Sequence, residues 1–264
     1  LAAAESQGID AIRTYDGVNN ANLPSSDEEI AQLIGRALDQ GQVRLASLPV
    51  LDMKGRLVHV ECPLEVVFND AAGWQPVNRF MQLAEHFQLT PAIDMATLTL
   101  ALEKLHHDPG LAGVAITLSA ASLRDEAFRD RLLSLLRKKP ALARRLWLEV
   151  PEADILKHTI ILPAFVADVR NAGSRIGLTQ FGRHFSHSDT LHDFGLDFLK
   201  VDSSFIRGLH LNPNNQAFLK DLAAATHKMD MQVYGEGVID RAELAALGLV
   251  GFDGAAGPAM KLPD

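Results

Sequence analysis

The sequence predicts an α/β barrel in which one strand runs against the others. Three observations predict it. Strand-like and helix-like stretches take turns from Gly41 onward, the signature of a parallel sheet. About eight strands follow one another in one continuous run, which suits a closed TIM-like (β/α)8 barrel better than an open doubly wound sheet, although periodicity alone does not report closure. Only the turn Met53-Lys54-Gly55-Arg56 separates the first two strands, so they pair as an antiparallel hairpin.

Taken in order, residues 1–25 are short for an independent unit: a helix ends at Gly8, an extended stretch runs from Ile9 to Tyr15, and Gly17 to Asp27 is an aperiodic linker of Gly, Asn, Pro and Ser. Residues 26–264 form the barrel. Ser26 with Glu29 makes a capping box for a helix over Glu28–Gln40, whose Ile30, Leu33, Ile34 and Leu38 share a face. Strands are expected at Val43–Leu51, Leu57–Glu61, Gly113–Leu118, Leu146–Val150, Arg175–Leu178, Phe198–Val201, Gln232–Gly235 and around Phe252. Helical periodicity occupies Val77–Phe87, Met95–His106, Glu126–Lys138, Ile155–Ala172, Gln216–Met229 and Arg241–Leu247.

Composition narrows the function classes. With 264 residues, 47% hydrophobic and 22% charged, the chain can bury a full core. A formal charge of −8 argues against a DNA, RNA or anionic-membrane surface, since those partners select basic patches, but leaves room for a small anion in a local pocket. The single cysteine, Cys62, makes no internal disulfide and fits a reducing compartment. No run reaches the length of a transmembrane helix, so direct membrane insertion of these residues is not expected. The start at Leu1 without methionine suggests a piece of a longer protein.

Polar residues at the carboxyl ends of buried parallel strands are where α/β proteins put their chemistry. Here these are Glu61, Thr117, Glu149, Thr179 with Gln180, Lys200 with Asp202, and Glu236. A lone polar residue at a strand end is unremarkable, because every strand must surface. Three Glu, one Lys and one Asp at strand ends of one barrel make a site. Other features carry less. His184, His187 and His192 lie on a loop and following helix without a fixed face and read as solvated rather than as zinc ligands. His106-His107 suits a helix C-terminus. Gly235-Glu236-Gly237 lacks the spacing of a dinucleotide fingerprint.

At these residues the chain resembles the EAL domain, the cyclic-di-GMP phosphodiesterase and receptor module of bacteria. The most specific segments are Val114–Leu123 (VAITLSAASL), Leu146–Glu152 (LWLEVPE), Phe198–Ile206 (FLKVDSSFI) and Tyr234–Val238 (YGEGV), and the likeness runs from about Asp27 to Leu262. Ala4–Tyr15 is similar to the end of a GGDEF domain, which implies that residues 1–25 are the remnant of a preceding GGDEF-like domain plus a linker.

The resemblance implies roles residue by residue. Glu61 is the motif glutamate, in the context Glu61-Cys62-Pro63; Glu149 is a metal-ligand glutamate with Glu152 nearby; Lys200, Asp202 and Glu236 are retained. The departures are specific. The family's adjacent Asp pair is Thr179-Gln180, its Asn is Thr117, its phosphate-facing Arg is Glu65, its Gln after the first strand is Leu48, and a late Gln is Ala256. A two-ion hydrolytic site needs several anionic oxygens, and Mg²⁺ demands a near-octahedral oxygen shell. With both Asp carboxylates gone, the expectation is a catalytically inactive module with vestigial Glu61, Glu149, Lys200 and Glu236, requiring no cofactor and not binding Mg²⁺ tightly; at most Glu61 and Glu149 hold one weak ion. The ligand-binding set implied for cyclic-di-GMP is Glu61, Leu64, Phe185, Ser186, Lys200, Asp202, Glu236, Pro258 and Met260, with Gly257-Pro258-Ala259-Met260 as an apolar shelf for a guanine. The combination looks most like the output domain of LapD-type inner-membrane GGDEF-EAL receptors. That likeness implies a cytoplasmic domain of a membrane protein, a GGDEF-like neighbour and homodimerisation.

Overall fold

A computed structural model describes residues 26–67, 73–155, 161–183 and 194–261. The segment 1–25, expected to be GGDEF-like, the expected ligand contacts Phe185 and Ser186, and His184, His187 and His192 lie outside the described residues.

Eight strands close into a barrel: β2 (Leu48–Asp52), β3 (Leu57–Glu61), β6 (Val114–Thr117), β7 (Leu146–Pro151), β8 (Arg175–Phe181), β9 (Phe198–Val201), β10 (Gln232–Gly235) and β11 (Gly254–Ala256). Closure resolves the choice between barrel and open sheet: β11 pairs with both β10 and β2. All neighbours are parallel except β2, which is antiparallel to β3 and to β11. The predicted hairpin forms, with Gly55 at φ +78 in its turn and Asp52 Oδ1 accepting from the Lys54 and Arg56 backbone amides. Because β2 is reversed, its first residue, Leu48, stands level with the last residues of its neighbours; Leu48 pairs with Glu61.

Outside the barrel, β1 (Val43–Leu45), β4 (Leu64–Val67) and β5 (Trp74–Pro76) form a separate antiparallel sheet in the order β1-β4-β5. The expected single strand Val43–Leu51 is therefore two strands: the chain leaves the small sheet at Ala46, whose N–H donates to Pro63 O at 3.0 Å, and enters the barrel at Leu48. The inner face of this sheet carries Leu64 and Val66 into an apolar cluster with Ile34, Ala37, Val77 and Ile93. Among the expected helices, Glu126–Lys138 is observed with those bounds, capped by Asp125 accepting from Phe128 N. The first helix runs Asp27–Asp39 with Ser26 as its N-cap. The second splits into a 3-10 turn, Val77–Phe80, and a helix, Met81–His86. The helix at Thr90–His107 starts five residues earlier than expected, since Pro91 needs no amide partner in a first turn. The strand expected around Phe252 lies at Gly254–Ala256; Phe252 instead packs in the core between barrel and helices.

Alternation divides the core. Outward-facing Val114, Ile116, Leu146, Leu148, Ile176, Leu199 and Val233 meet the surrounding helices. Inward-facing Val50, Ala115, Trp147, Phe198, Tyr234 and Ala256 fill the barrel. Above this filling, toward the carboxyl ends, the interior turns polar.

Candidate ligand site at the carboxyl rim of the barrel

The rim is organised by Lys200. Its side chain is fully buried, and its ammonium donates to Glu61 Oε1 at 2.5 Å and to Glu149 Oε1. Strands β3, β7 and β9 place the three residues on inward-facing positions, which is why residues 139 and 51 apart in sequence meet. Thr117 Oγ1 donates to the other Glu149 oxygen at 3.5 Å. Burial pulls the lysine toward neutrality, but the two carboxylates more than offset this and hold its pKa above the ordinary lysine value. Burial raises Glu149 and lifts Glu236 well above the ordinary carboxylate value, with the Glu61 charge adding to both. The rim therefore holds three carboxylates against one interior ammonium.

The other predicted residues take more specific places. Thr179 is buried beside this group, and Gln180 is exposed with φ +54, its backbone N–H donating to Glu236 Oε2 at 3.3 Å. Glu152 accepts from Gly182 N at 3.1 Å. Asp202 is buried and caps the helix Ser203–Ile206: it accepts from Ser204 N at 2.9 Å and from Arg183 Nε at 2.6 Å. A cavity of about 430 Å³ opens next to Glu61 and Glu236, walled by Leu48 and Pro49 on one side and by Ala256, Gly257, Pro258 and Met260 on the other. The reversal of β2 is what brings Leu48 and Pro49 there. Leu64 is not brought to this cavity; its side chain is 4% exposed within the apolar cluster under the small sheet. Glu65 lies on the opposite face of β4 and pairs across the ladder with Arg44, Nε to Oε2 at 2.7 Å, while the Arg44 guanidinium stacks 4.4 Å from the Trp74 ring centroid. Cys62 is buried, which lifts its thiol to about 11 and keeps it out of thiolate chemistry at neutral pH.

Sequence reading missed two polar features: the Arg183–Asp202 pair and His59, fully buried in the barrel beneath the rim. The signal for His59 was available, since it lies two residues before Glu61 on the same strand face.

The residues present do not fit a two-ion clamp. Glu61 and Glu149 are engaged by Lys200, the place of the acidic pair holds a hydroxyl and an amide, and Asp202 is committed to a helix cap and to Arg183.

Comparison with known proteins places this arrangement. Residues 31–263 match the family model described as EAL domain. The chain is 24% identical over 226 residues to the RNase E specificity factor CsrD of Escherichia coli, covering 85% of this chain and 34% of that protein. Among solved structures, the Xanthomonas citri FimX EAL domain in complex with c-diGMP superposes with a TM-score of 0.80 at 22% identity, covering 90% of this chain and 96% of that one. The Vibrio cholerae LapD S helix-GGDEF-EAL structure bound to c-di-GMP gives 0.81 at 20% identity, covering 90% and 58%. The chain thus spans about a third of the curated relative's length, and the structural likenesses speak to the fold. With the family model matched over most of its length and a closed barrel whose β2 runs against its neighbours, this chain belongs to the EAL domain family.

Proposed function

We propose that this chain is a non-hydrolysing receptor module for cyclic-di-GMP. The observation that carries the reading is Lys200: its ammonium spans Glu61 and Glu149, while Thr179 and Gln180 supply no carboxylate with which to gather two ions. Catalysis is lost with those ligands, but the cavity beside them remains. Its walls, Leu48, Pro49, Pro258 and Met260, offer apolar contact to a base, and Gly257 keeps the backbone open at its edge. The negative charge of Glu65 is less of an obstacle to an anionic ligand than its sequence place suggests, because Arg44 neutralises it. In this reading Glu61, Glu236, Pro258 and Met260 contact the nucleotide together with Phe185 and Ser186, while the buried Lys200 acts through the two glutamates that it holds. Asp202 acts through the cap it makes, and Leu64, committed to the apolar cluster under the small sheet, drops out of the nucleotide site. A GGDEF-like domain preceding residue 26, a second copy of the chain as partner and a place on the cytoplasmic side of the inner membrane complete the proposal.

Isothermal titration of cyclic-di-GMP, with and without Mg²⁺, tests it. Saturable binding of equal strength in both conditions, with the nucleotide recovered intact, is the expected result. Metal-dependent linearisation refutes the reading in favour of a phosphodiesterase. Absence of any heat refutes it in favour of a module that has lost the nucleotide.

A further inference from the structure

We propose that His59, Glu61 and Glu149 form a binding site for a single transition-type divalent cation of the zinc class, distinct in composition from an all-oxygen two-ion clamp. His59 and Glu61 project inward from β3 two residues apart, and Glu149 projects inward from β7. One donor atom from each lies within 4.8 Å of the other two. Tetrahedral zinc with bonds near 2.1 Å holds its donors about 3.4 Å apart, a closure that rotation of two glutamate side chains supplies.

The independent pointer is His59 itself. It is fully buried, yet neither Nδ1 nor Nε2 has a hydrogen-bond partner among the described residues. Buried polar atoms are normally satisfied, and an imidazole left without partners next to two carboxylates is a donor awaiting an acceptor of electron pairs. Its ring is held by packing, tilted 32° against Trp147 with centroids 4.2 Å apart and edge-on to Tyr234 at 6.1 Å. Charge points the same way: the ligand carboxyls Glu61 and Glu149 share the single Lys200 ammonium, and a cation answers the acid that it leaves unbalanced. Lys200 engages one oxygen of each ligand carboxylate, and Thr117 reaches the second oxygen of Glu149 at 3.5 Å, a contact weak enough to yield to a metal bond. An imidazole in the set selects zinc or cobalt over Mg²⁺, which wants oxygen throughout.

The test uses the chain stripped with a chelator and titrated with Co²⁺ alone, without nucleotide, so that its outcome is independent of the receptor reading. One Co²⁺ per chain with a tetrahedral visible spectrum, displaced by Zn²⁺ and untouched by millimolar Mg²⁺, is expected. His59→Phe keeps an aromatic ring on Trp147 and should lower Co²⁺ affinity by about 100-fold or more. If His59→Phe does not fold, Glu61→Gln, which retains an oxygen for Lys200, decides by the same loss. No uptake by the parent chain overturns the proposal. So does uptake that His59→Phe, or Glu61→Gln in its place, leaves unchanged; the histidine is then an aromatic filler of the barrel and the ion sits on the surface.

Discussion

Replacing Lys200 by Met should show what the interior ammonium does. The side chain is fully buried, Glu149 is 5% exposed, and the change leaves two carboxylates facing each other with nothing between them. Removing one partner of a buried ion pair costs about 3–5 kcal/mol. The Glu149 arm carries most of this, because the Glu61 side chain is 23% exposed and partly screened by water. Against a typical domain stability of about 5–15 kcal/mol, the loss is large, and with a urea slope of about 2–3 kcal/mol/M it moves the unfolding midpoint down by about 1–2 M. The pH dependence follows from sign. Glu149 is already raised by burial, and without Lys200 it rises further. A carboxyl raised in the folded state gives its stabilisation in full below its unfolded value, and that stabilisation is lost as pH climbs through the folded value. The deficit of Lys200→Met relative to the parent should therefore be greatest at pH 7 and smaller at pH 5. Urea titrations at both pH values, followed by tryptophan fluorescence, measure it. A variant that unfolds at the parental midpoint at pH 7, or shows one deficit at both pH values, refutes the reasoning.

Three further outcomes are expected. Asp94 is 3% exposed, accepts from Ser119 N at 2.8 Å and is lifted by burial to about 6, so its contribution is complete below pH 4 and fades as pH rises through 6. Asp94→Asn should flatten the stability–pH curve between pH 4 and 6 by about 3 kcal/mol, and an unchanged slope contradicts this. Gly257 has φ +143, and a Cβ there would lie 2.3 Å from Val238 N; Gly257→Ala should cost about 2 kcal/mol or more in thermal unfolding and narrow the adjoining cavity, whereas parental stability would mean the loop yields freely. The triple variant Thr117→Asn, Thr179→Asp, Gln180→Asp should bind Mn²⁺ in calorimetry more strongly than the parent; aspartate tolerates the left-handed backbone at 180. If it binds no better, those substitutions are not what unsettled the ion site.

What could be read from the chain followed signal strength. The helix Glu126–Lys138 has an amphipathic face and an Asp cap, and its bounds were legible. The convergence of Glu61, Glu149 and Lys200 was legible because each lies toward the carboxyl end of a buried strand in a barrel. The strand Gly254–Ala256 was not. A Cβ on Gly254 would lie 2.3 Å from Leu51 O, so the tight approach of β11 to β2 selects a residue with no strand propensity at all. The small sheet escaped notice because its strands have three or four residues and are broken by Pro63 and by the segment between Val67 and Trp74. Glu65 shows the limit for chemistry. In sequence it is an unfavourable charge at a ligand's place, and only the β1–β4 ladder, 21 residues across, reveals the arginine that answers it.

The reversed strand β2 has a mechanical consequence. The hairpin β2–β3 does not stop at the barrel mouth. Its two chains leave together, joined by the Ala46–Pro63 hydrogen bond, and continue as the paired strands β1 and β4. The same ribbon is barrel staves at one end and an outlying sheet at the other. At the junction stand Leu48 and Glu61, opposite each other, one a wall of the cavity and the other a hand on the buried ammonium. A twist applied to the outlying sheet is thus a twist of the cavity's own edge, carried by continuous backbone rather than by side chains passing it along.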